Sequence, residues 1–326
     1  MEILSLYPPA VSHYVLYMSY PLLSAASALP RTCVSNAQLV TQLAASGVET
    51  TAEWIETRTG ITQRYIFAED ETTFTLARDA GMKALAAAGI QPSQFGAIVV
   101  ATCTPDLTFP SVAAMVHGAL GAPATCAAMD VNGACSGFLM ALATAKGLLM
   151  QGHGTHALVV GADTFSHVVD WTDRGTCILF GDGAGAVVMA RTDDDAAPRG
   201  LIGVELGTDG TQIDVLKSSG GVATTGTAGV TLMEGKKVFV QAVRQMGQVP
   251  PLLAKLGMTL NDIDLFVPHQ ANMRILQAAA EQLQIPLEKV VITVNHHANT
   301  SAASIPLALA HAASTGVAPD YTAMRL

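Results

Sequence analysis

The chain has 326 residues, of which 50% are hydrophobic and 13% are charged, and its formal net charge is −9. A chain of this length can bury a large core and is expected to form two domains or one large double-layered unit. The acidic balance and the lack of basic runs exclude a general nucleic-acid binder, although they leave room for one local basic patch.

The cysteines and the apolar segments indicate the compartment. The five cysteines form no CxxC pair and no spacing typical of a metal site, so we expect no bound metal. Their odd number leaves at least one thiol unpaired, which is typical of the reducing cytoplasm. The segment from Val11 to Leu29 is similar to the core of a signal peptide, but His13 and Pro21 interrupt it. We predict a cytoplasmic protein with no membrane association.

From Phe95 onward, short apolar strands alternate with helices. The predicted strands span 97–101, 127–131, 157–161 and 185–189, and the predicted helices span 111–120 and the residues after Cys135. This alternation indicates parallel βαβ units and a sheet covered on both faces. The acidic stretch 191–199 then interrupts the pattern. We therefore predict two domains, at residues 18–195 and 196–326.

The second half has its own series of elements. The predicted strands span 201–206, 264–267 and 290–294, and the predicted helices span 237–256 and 271–283. A loop rich in Gly, Ser and Thr covers 207–229. Although no residue pattern repeats, two similar α/β halves are expected.

Cys135 lies between an apolar strand and a helix, in the run Asn132-Gly-Ala-Cys-Ser-Gly137. The small residues allow a sharp turn, and a helix N-terminus stabilises a nearby negative charge. Such a position can lower the pKa of a thiol from near 8.5 to roughly 3.5–7.5, which would make Cys135 a nucleophile at neutral pH. A buried core cysteine is the alternative.

Two polar motifs follow predicted strands of the second half, at the ends where open α/β sheets place their ligands. His269 lies in Pro268-His-Gln-Ala-Asn272, and Asn299 precedes the small residues Thr300-Ser-Ala-Ala-Ser304. Singly, the histidine is more typical of a structural hydrogen bond and the asparagine of a helix N-cap. Together with Cys135, they predict a nucleophile served by two hydrogen-bonding side chains.

At these residues the sequence resembles the thiolase-fold condensing enzymes, most closely the β-ketoacyl-acyl carrier protein synthase III family. The resemblance implies a thiolase-like α/β fold, with two similar halves in an α/β/α/β/α arrangement. The matching stretches are Glu53-Trp-Ile-Glu-Thr-Arg-Thr-Gly-Ile61, Phe109-Pro-Ser111, Gly133-Ala-Cys-Ser-Gly-Phe138, Asp173-Arg-Gly-Thr176, Phe180-Gly-Asp-Gly-Ala-Gly185, Pro268-His-Gln-Ala-Asn272 and Asn299-Thr-Ser-Ala-Ala-Ser304.

The resemblance implies a reaction that starts type II fatty acid synthesis without a cofactor. Cys135 would accept an acetyl group from acetyl-CoA, and malonyl-acyl carrier protein would lose carbon dioxide and attack it. The product would be acetoacetyl-acyl carrier protein, with His269 and Asn299 binding the malonyl thioester oxygen. Two alternatives remain: a paralogue that uses longer acyl-CoA in secondary metabolism, and an inactive, truncated remnant. Plant-type polyketide synthases share the same three residues.

The resemblance also implies residues that bind substrates and partners. Trp54, Arg58 and Arg174 would hold the adenine and phosphates of CoA; a half-buried tryptophan with two solvated arginines is the alternative. Phe109 would reach into the acyl pocket of the partner subunit of a homodimer, or else pack in its own core. Arg274 would help to dock the acidic acyl carrier protein.

The sequence departs from the family pattern in two places. Ala298 replaces a glycine that is expected to have an unusual backbone angle. At the C-terminus the chain ends after Val317-Ala-Pro-Asp-Tyr-Thr-Ala-Met-Arg-Leu326, so the final strands of the family and a glycine-rich loop between them are expected to be missing. Near the other end, Met18 is expected to be the natural start.

Overall fold

The computed structural model describes residues 18–193 and 199–318. The strands are β1 (Met18–Ser19), β2 (Leu22–Ala28), β3 (Thr32–Ser35), β4 (Gln63–Ile66), β5 (Phe95–Ala101), β6 (Ala127–Val131), β7 (His156–Asp163), β8 (Gly183–Ala190), β9 (Thr192–Asp193), β10 (Leu216–Ser218) and β11 (Thr231–Met233). The α-helices are α1 (Asn36–Ala45), α2 (Ala52–Thr59), α3 (Thr73–Ala88), α4 (Val112–Leu120), α5 (Gly137–Met150), α6 (Arg174–Cys177), α7 (Gly235–Met246), α8 (Val249–Lys255), α9 (Met273–Leu283), α10 (Val294–His297) and α11 (Ser304–Ser314).

The main sheet has five strands in the order β2-β8-β7-β5-β6. Strands β5, β6 and β7 are parallel, as the βαβ pattern predicts, whereas β8 and β2 are antiparallel to their neighbours. The antiparallel direction of β8 corrects the expectation that residues 185–189 continue the series of parallel βαβ units. The only α-helix between β7 and β8 is α6, which has four residues. A helix this short cannot carry the chain back along the sheet, as a parallel connection requires.

The helices of the first half begin and end where their sequence signals indicate. Ser111 accepts a hydrogen bond from the backbone N–H of Ala114 and so caps α4, while Gly121 ends the helix in the left-handed conformation. Thr72 caps α3 in the same way with a reciprocal capping box. These local bonds satisfy backbone groups at the helix ends, so the helix bounds follow from nearby residues.

Helices cover both faces of the main sheet. On one face, α3 and α4 pack against Ile98 and Val100; on the other, α5 packs against Val99. Helix α11, from the second half of the chain, lies on the same face as α5, where Ala308 is fully buried. The two halves of the sequence therefore share one hydrophobic core.

The segment before α11 approaches the sheet very closely at Gly161. A Cβ atom at Gly161 would lie 2.2 Å from the carbonyl oxygen of Ala302, so a larger residue would push this segment away from β7. The close approach brings the backbone of residues 299–303 to the ends of β5 and β7, where Cys135 also lies.

The second half differs from its sequence prediction. The predicted strands 201–206, 264–267 and 290–294 are not formed; among the described residues, the last two share only one isolated parallel bridge, from Phe266 to Val290. A strand forms only beside a partner that completes its hydrogen-bond ladder. The predicted helix 237–256 is divided into α7 and α8, because Pro250 and Pro251 lack the N–H groups that a continuous helix needs. The predicted domain boundary lies at residues outside the described ranges.

Candidate active site

Cys135 lies in a tight turn between β6 and α5, as the sequence predicts. The turn is a single 3₁₀ segment, Ala134–Ser136, and Ala134 has a positive φ of 44°. A Cβ atom at Gly133 would lie 2.5 Å from the sulfur of Met140 and 3.0 Å from the Cα of Gly137. Small residues are therefore required around Cys135, because the turn leaves no room for larger ones.

The electrostatic environment of Cys135 corrects the expectation of an acidic thiol. The pKa of the Cys135 thiol is raised to about 11, mainly by desolvation on burial and in part by the nearby carboxylate of Asp163. The hydroxyl of Ser301, 3.9 Å from the sulfur, and a backbone N–H oppose this effect without overcoming it. The raised pKa favours the protonated thiol at neutral pH, because desolvation of the thiolate outweighs these hydrogen bonds.

A single short segment, residues 299–304, joins the residues that the sequence singles out. The side-chain oxygen of Asn299 accepts a hydrogen bond of 3.0 Å from the backbone N–H of Ser301, whose hydroxyl contacts Cys135. Three residues further on, the hydroxyl of Ser304 lies 2.6 Å from Nδ1 of His269. The structure thus links Cys135, His269 and Asn299 through their neighbours on this segment.

Asn299 is held on both sides by its backbone. Its N–H donates to the carbonyl oxygen of Leu179, and its carbonyl oxygen accepts from the N–H of Gly181. The side-chain oxygen accepts from the N–H of Ser301. The side-chain NH₂ group is the donor that Asn299 can offer to a substrate.

Ala298, directly before Asn299, has φ +59° and ψ −162°. Side chains of L-amino acids rarely adopt this conformation, so the expected unusual backbone angle is confirmed. The Ala298 side chain is fully buried in a small apolar cluster with Ile61, Leu276 and Val294. The surrounding packing thus holds the strained residue in place.

Burial lowers the pKa of His269 to about 4, which favours the neutral imidazole at neutral pH. The next residue, Gln270, is 1% exposed and holds this loop against residues 291–294. Its side-chain nitrogen donates to the carbonyl oxygen of Val291, and its side-chain oxygen accepts from the N–H groups of Thr293 and Val294. Gln270 therefore adds side-chain hydrogen bonds between two segments whose backbones share only the isolated bridge from Phe266 to Val290.

Asp163 is a buried residue of the site that the sequence motifs did not identify. One carboxylate oxygen accepts from Thr102 and from the backbone N–H of Cys103, at 3.0 and 2.8 Å; the other accepts from the N–H of Ala302, at 3.1 Å. The sulfur of Cys103 lies 4.0 Å from the hydroxyl of Ser301, which also contacts the sulfur of Cys135. The only signal in the sequence was an acidic residue at the end of a strictly apolar strand.

Trp54, Arg58 and Arg174 form a second cluster, as the resemblance implies. The guanidinium carbons of Arg174 and Arg58 lie 4.5 and 5.7 Å from the centre of the Trp54 ring. The indole is half-buried, and both arginines are exposed, with Arg174 also bonded to the carbonyl oxygen of Glu49. An aromatic plane flanked by two guanidinium groups can bind an adenine ring and phosphates.

The remaining predicted residues lie on the surface. Phe109 is 83% exposed, so the alternative that it packs in the core of its own protomer is wrong. Arg274 is exposed on α9, with its guanidinium 6.0 Å from the ring of Phe239 on α7. Over residues 18–193 and 199–318, no group of three or more His, Cys, Asp or Glu side chains could hold a metal ion. No helix in the same ranges has the length and apolar character needed to span a bilayer.

Known proteins match this chain over nearly its whole length. The family 3-oxoacyl-[acyl-carrier-protein (ACP)] synthase III matches residues 129–210, and its C-terminal family matches residues 253–324. The β-ketoacyl-[acyl-carrier-protein] synthase III of Rhizorhabdus wittichii is 52% identical over 284 residues, which cover 87% of this chain and 86% of that protein. The chain belongs to the synthase III family. A relative from Erythrobacter litoralis is 52% identical and covers 89% of both chains.

Solved structures of the same family confirm the thiolase fold. The 3-oxoacyl-(acyl carrier protein) synthase III of Pseudomonas aeruginosa PAO1 is 41% identical, with a TM-score of 0.83 over 92% of this chain and 90% of its own. The priming β-ketosynthase of the R1128 polyketide pathway is 35% identical, with a TM-score of 0.81 over 91% and 88% of the two chains. The chain is therefore an acyltransferase of the ketosynthase class, and the resemblance drawn from the motifs is confirmed.

Proposed function

We propose that the chain condenses acetyl-CoA with malonyl-acyl carrier protein to give acetoacetyl-acyl carrier protein, the first condensation of type II fatty acid synthesis. The observation that carries this proposal is the segment 299–304, which contacts Cys135 through Ser301 and His269 through Ser304. A nucleophilic thiol beside two hydrogen-bonding side chains suits the transfer of an acyl group followed by attack of an enolate.

In the first half-reaction the sulfur of Cys135 attacks the thioester carbon of acetyl-CoA. The carbon–sulfur bond to CoA breaks as the bond to Cys135 forms, and the thiol proton finally resides on the departing CoA. Since burial raises the pKa of Cys135 to about 11, this proton must leave as the new bond forms or just before it. The acylation rate should therefore depend on pH above neutrality.

In the second half-reaction malonyl-acyl carrier protein loses carbon dioxide, and the electron pair of the broken carbon–carbon bond forms an enolate. An N–H of His269 and the NH₂ group of Asn299 stabilise the negative oxygen. The enolate carbon attacks the acetyl carbon, and the sulfur of Cys135 leaves as a thiolate. Because desolvation lowers the pKa of His269 to about 4, its neutral imidazole serves here as a hydrogen-bond donor and does not need to transfer a proton.

The two substrates are bound through surface clusters. Trp54, Arg58 and Arg174 bind the nucleotide of CoA, since their spacing of 4.5 to 5.7 Å suits an aromatic ring and anionic phosphates. Arg274 binds the acidic carrier protein, because it offers an exposed positive charge on a chain with a net charge of −9. No other cofactor takes part in this scheme.

The functional unit is a homodimer in the cytoplasm. Strand β6 is at the edge of the main sheet, and the exposed side chains of Leu107 and Phe109 are 50% and 83% accessible in the single chain. Apolar residues this exposed are typical of a surface that a partner covers. All five cysteines are unpaired, which suits a reducing compartment. Sedimentation analysis tests the dimer, and a monomer that retains full activity would contradict it.

Mass spectrometry tests the proposed function directly. Incubation with acetyl-CoA should add about 42 Da at Cys135, and addition of malonyl-acyl carrier protein should remove it with release of carbon dioxide. The Cys135→Ala variant should remain unlabelled, while Cys33→Ser, which removes an exposed thiol on β3, should be labelled normally. A protein that acquires no acyl group from acetyl-CoA or from octanoyl-CoA would be the inactive remnant.

Similarity to the R1128 priming β-ketosynthase supports a second candidate, a ketosynthase with a different starter unit. The two functions differ in the acyl-CoA that they accept. Labelling of Cys135 by octanoyl-CoA without labelling by acetyl-CoA would support the second candidate and contradict the first.

A further inference from the structure

The hydroxyl of Ser304 occupies a position from which it can control the imidazole of His269. It lies 2.6 Å from Nδ1 of His269, and Ser304 is only 1% exposed, so water does not compete for this bond. The backbone N–H of Gln270 points at the same hydroxyl oxygen from 3.4 Å. The oxygen therefore already accepts from one side, and its single hydrogen is available for the ring nitrogen.

The direction of this hydrogen bond decides what His269 can do. A neutral imidazole carries one proton, on Nδ1 or on Nε2, and the hydrogen bond made by one nitrogen fixes the proton on the other. If Ser304 donates to Nδ1, Nε2 carries the hydrogen and can donate to an enolate oxygen. If instead Nδ1 donates to Ser304, Nε2 presents a lone pair and would repel the same oxygen.

We propose that Ser304 is a positioning residue that donates its hydroxyl hydrogen to Nδ1 of His269 and thereby keeps the proton on Nε2 for the malonyl thioester oxygen. The proposal rests on the role of His269 in the proposed function. Its structural basis is the fixed start of α11, where Ser304 is the first residue and packs beside Gln270. Helix α11 thus fixes the position of Ser304, and Ser304 determines which nitrogen of His269 carries the proton.

Nitrogen-15 NMR of the wild-type protein tests the tautomer directly. The chain has nine histidines, so the His269 signals are assigned by their disappearance in His269→Asn. We expect Nδ1 of His269 to resonate as an unprotonated nitrogen and Nε2 as a protonated one at pH 7. A protonated Nδ1 would overturn the proposal, whatever the activity of the enzyme.

Kinetics of the two half-reactions test whether the hydrogen bond from Ser304 supports the condensation step. In Ser304→Ala the condensation of acetyl-enzyme with malonyl-acyl carrier protein should slow about 10-fold or more, the usual effect of losing one oriented hydrogen bond. Acetylation of Cys135 by acetyl-CoA should change less than about 2-fold, because Ser304 serves only the second substrate. Ser304→Thr keeps the hydroxyl and should restore most of the condensation rate.

A matched control separates positioning from folding. Ser24 is also a buried serine, and its hydroxyl donates to the carbonyl oxygen of Ala84, but it lies in β2. Ser24→Ala should lower thermal stability without altering the ratio of the two half-reactions. An equal loss in both half-reactions for Ser304→Ala, or a normal condensation rate, would contradict the proposal. If the wild type makes no acetoacetyl product, the proposed function itself fails, and the NMR result remains a separate test of the tautomer.

Discussion

Replacing Ala298 by glycine should stabilise the protein, because the backbone of Ala298 adopts φ +59° and ψ −162°. This conformation borders on a region that is essentially restricted to glycine, so we take its strain as about 3 kcal/mol. Removing the buried methyl group costs about 0.8 kcal/mol, and the added freedom of glycine in the unfolded chain costs about another 1 kcal/mol. The strain term is the largest, and Ala298→Gly should gain about 1 kcal/mol.

The matched control is Ala308, which is equally buried but lies in the helical interior of α11. Ala308→Gly has no strain to release and should lose about 1.5–2 kcal/mol, from helix propensity and from the missing methyl group. Urea unfolding followed by circular dichroism measures both variants against the wild type. A loss for Ala298→Gly similar to that for Ala308→Gly would refute the strain argument.

Other predictions concern reactivity, affinity and pH. Alkylation of Cys135 by iodoacetamide should accelerate about 10-fold per pH unit between pH 7 and 10, because its pKa is raised to about 11; a rate that levels off near neutrality would contradict this. Trp54→Ala should raise the KM for acetyl-CoA about 10-fold with little change in kcat, and an unchanged KM would remove Trp54 from the CoA site. The free energy of unfolding should fall as the pH drops from about 6.5 to about 4, because the unfolded chain protonates His269 and His297 while burial keeps both neutral in the folded protein. Replacing both by asparagine should flatten this part of the measured stability profile, and an unaltered slope would show that other groups cause it.

The raised pKa of Cys135 changes how the nucleophile is understood. A cysteine at the start of a helix is expected to be a thiolate at neutral pH, but the Cys135 thiol is desolvated and lies near the carboxylate of Asp163. Desolvation and a nearby negative charge both favour the neutral thiol. In the proposed function, activation of Cys135 therefore depends on removal of its proton during attack.

The amino-acid sequence by itself determined the local features of this protein. The strand Ala127–Val131 and the start of α4 at Ser111 follow from apolar runs and from a capping side chain that acts within three residues. The approach of Trp54 to Arg58 follows from their spacing on α2. Each of these features depends on neighbours along the chain, which a sequence displays directly.

Only the tertiary structure decided how the site is assembled. Ser301 contacts Cys135 across 166 positions in the chain, and Asp163 binds the backbone of Ala302 across 139. No local pattern indicates such pairs, because the fold alone determines which distant segments meet. The same holds for the pKa of Cys135, which depends on burial and on the distant residues Asp163 and Ser301, and for the pKa of His269, which depends on burial. The tertiary structure also decided that the predicted strands of the second half are not formed. An apolar run becomes a strand only where a partner completes its hydrogen bonds.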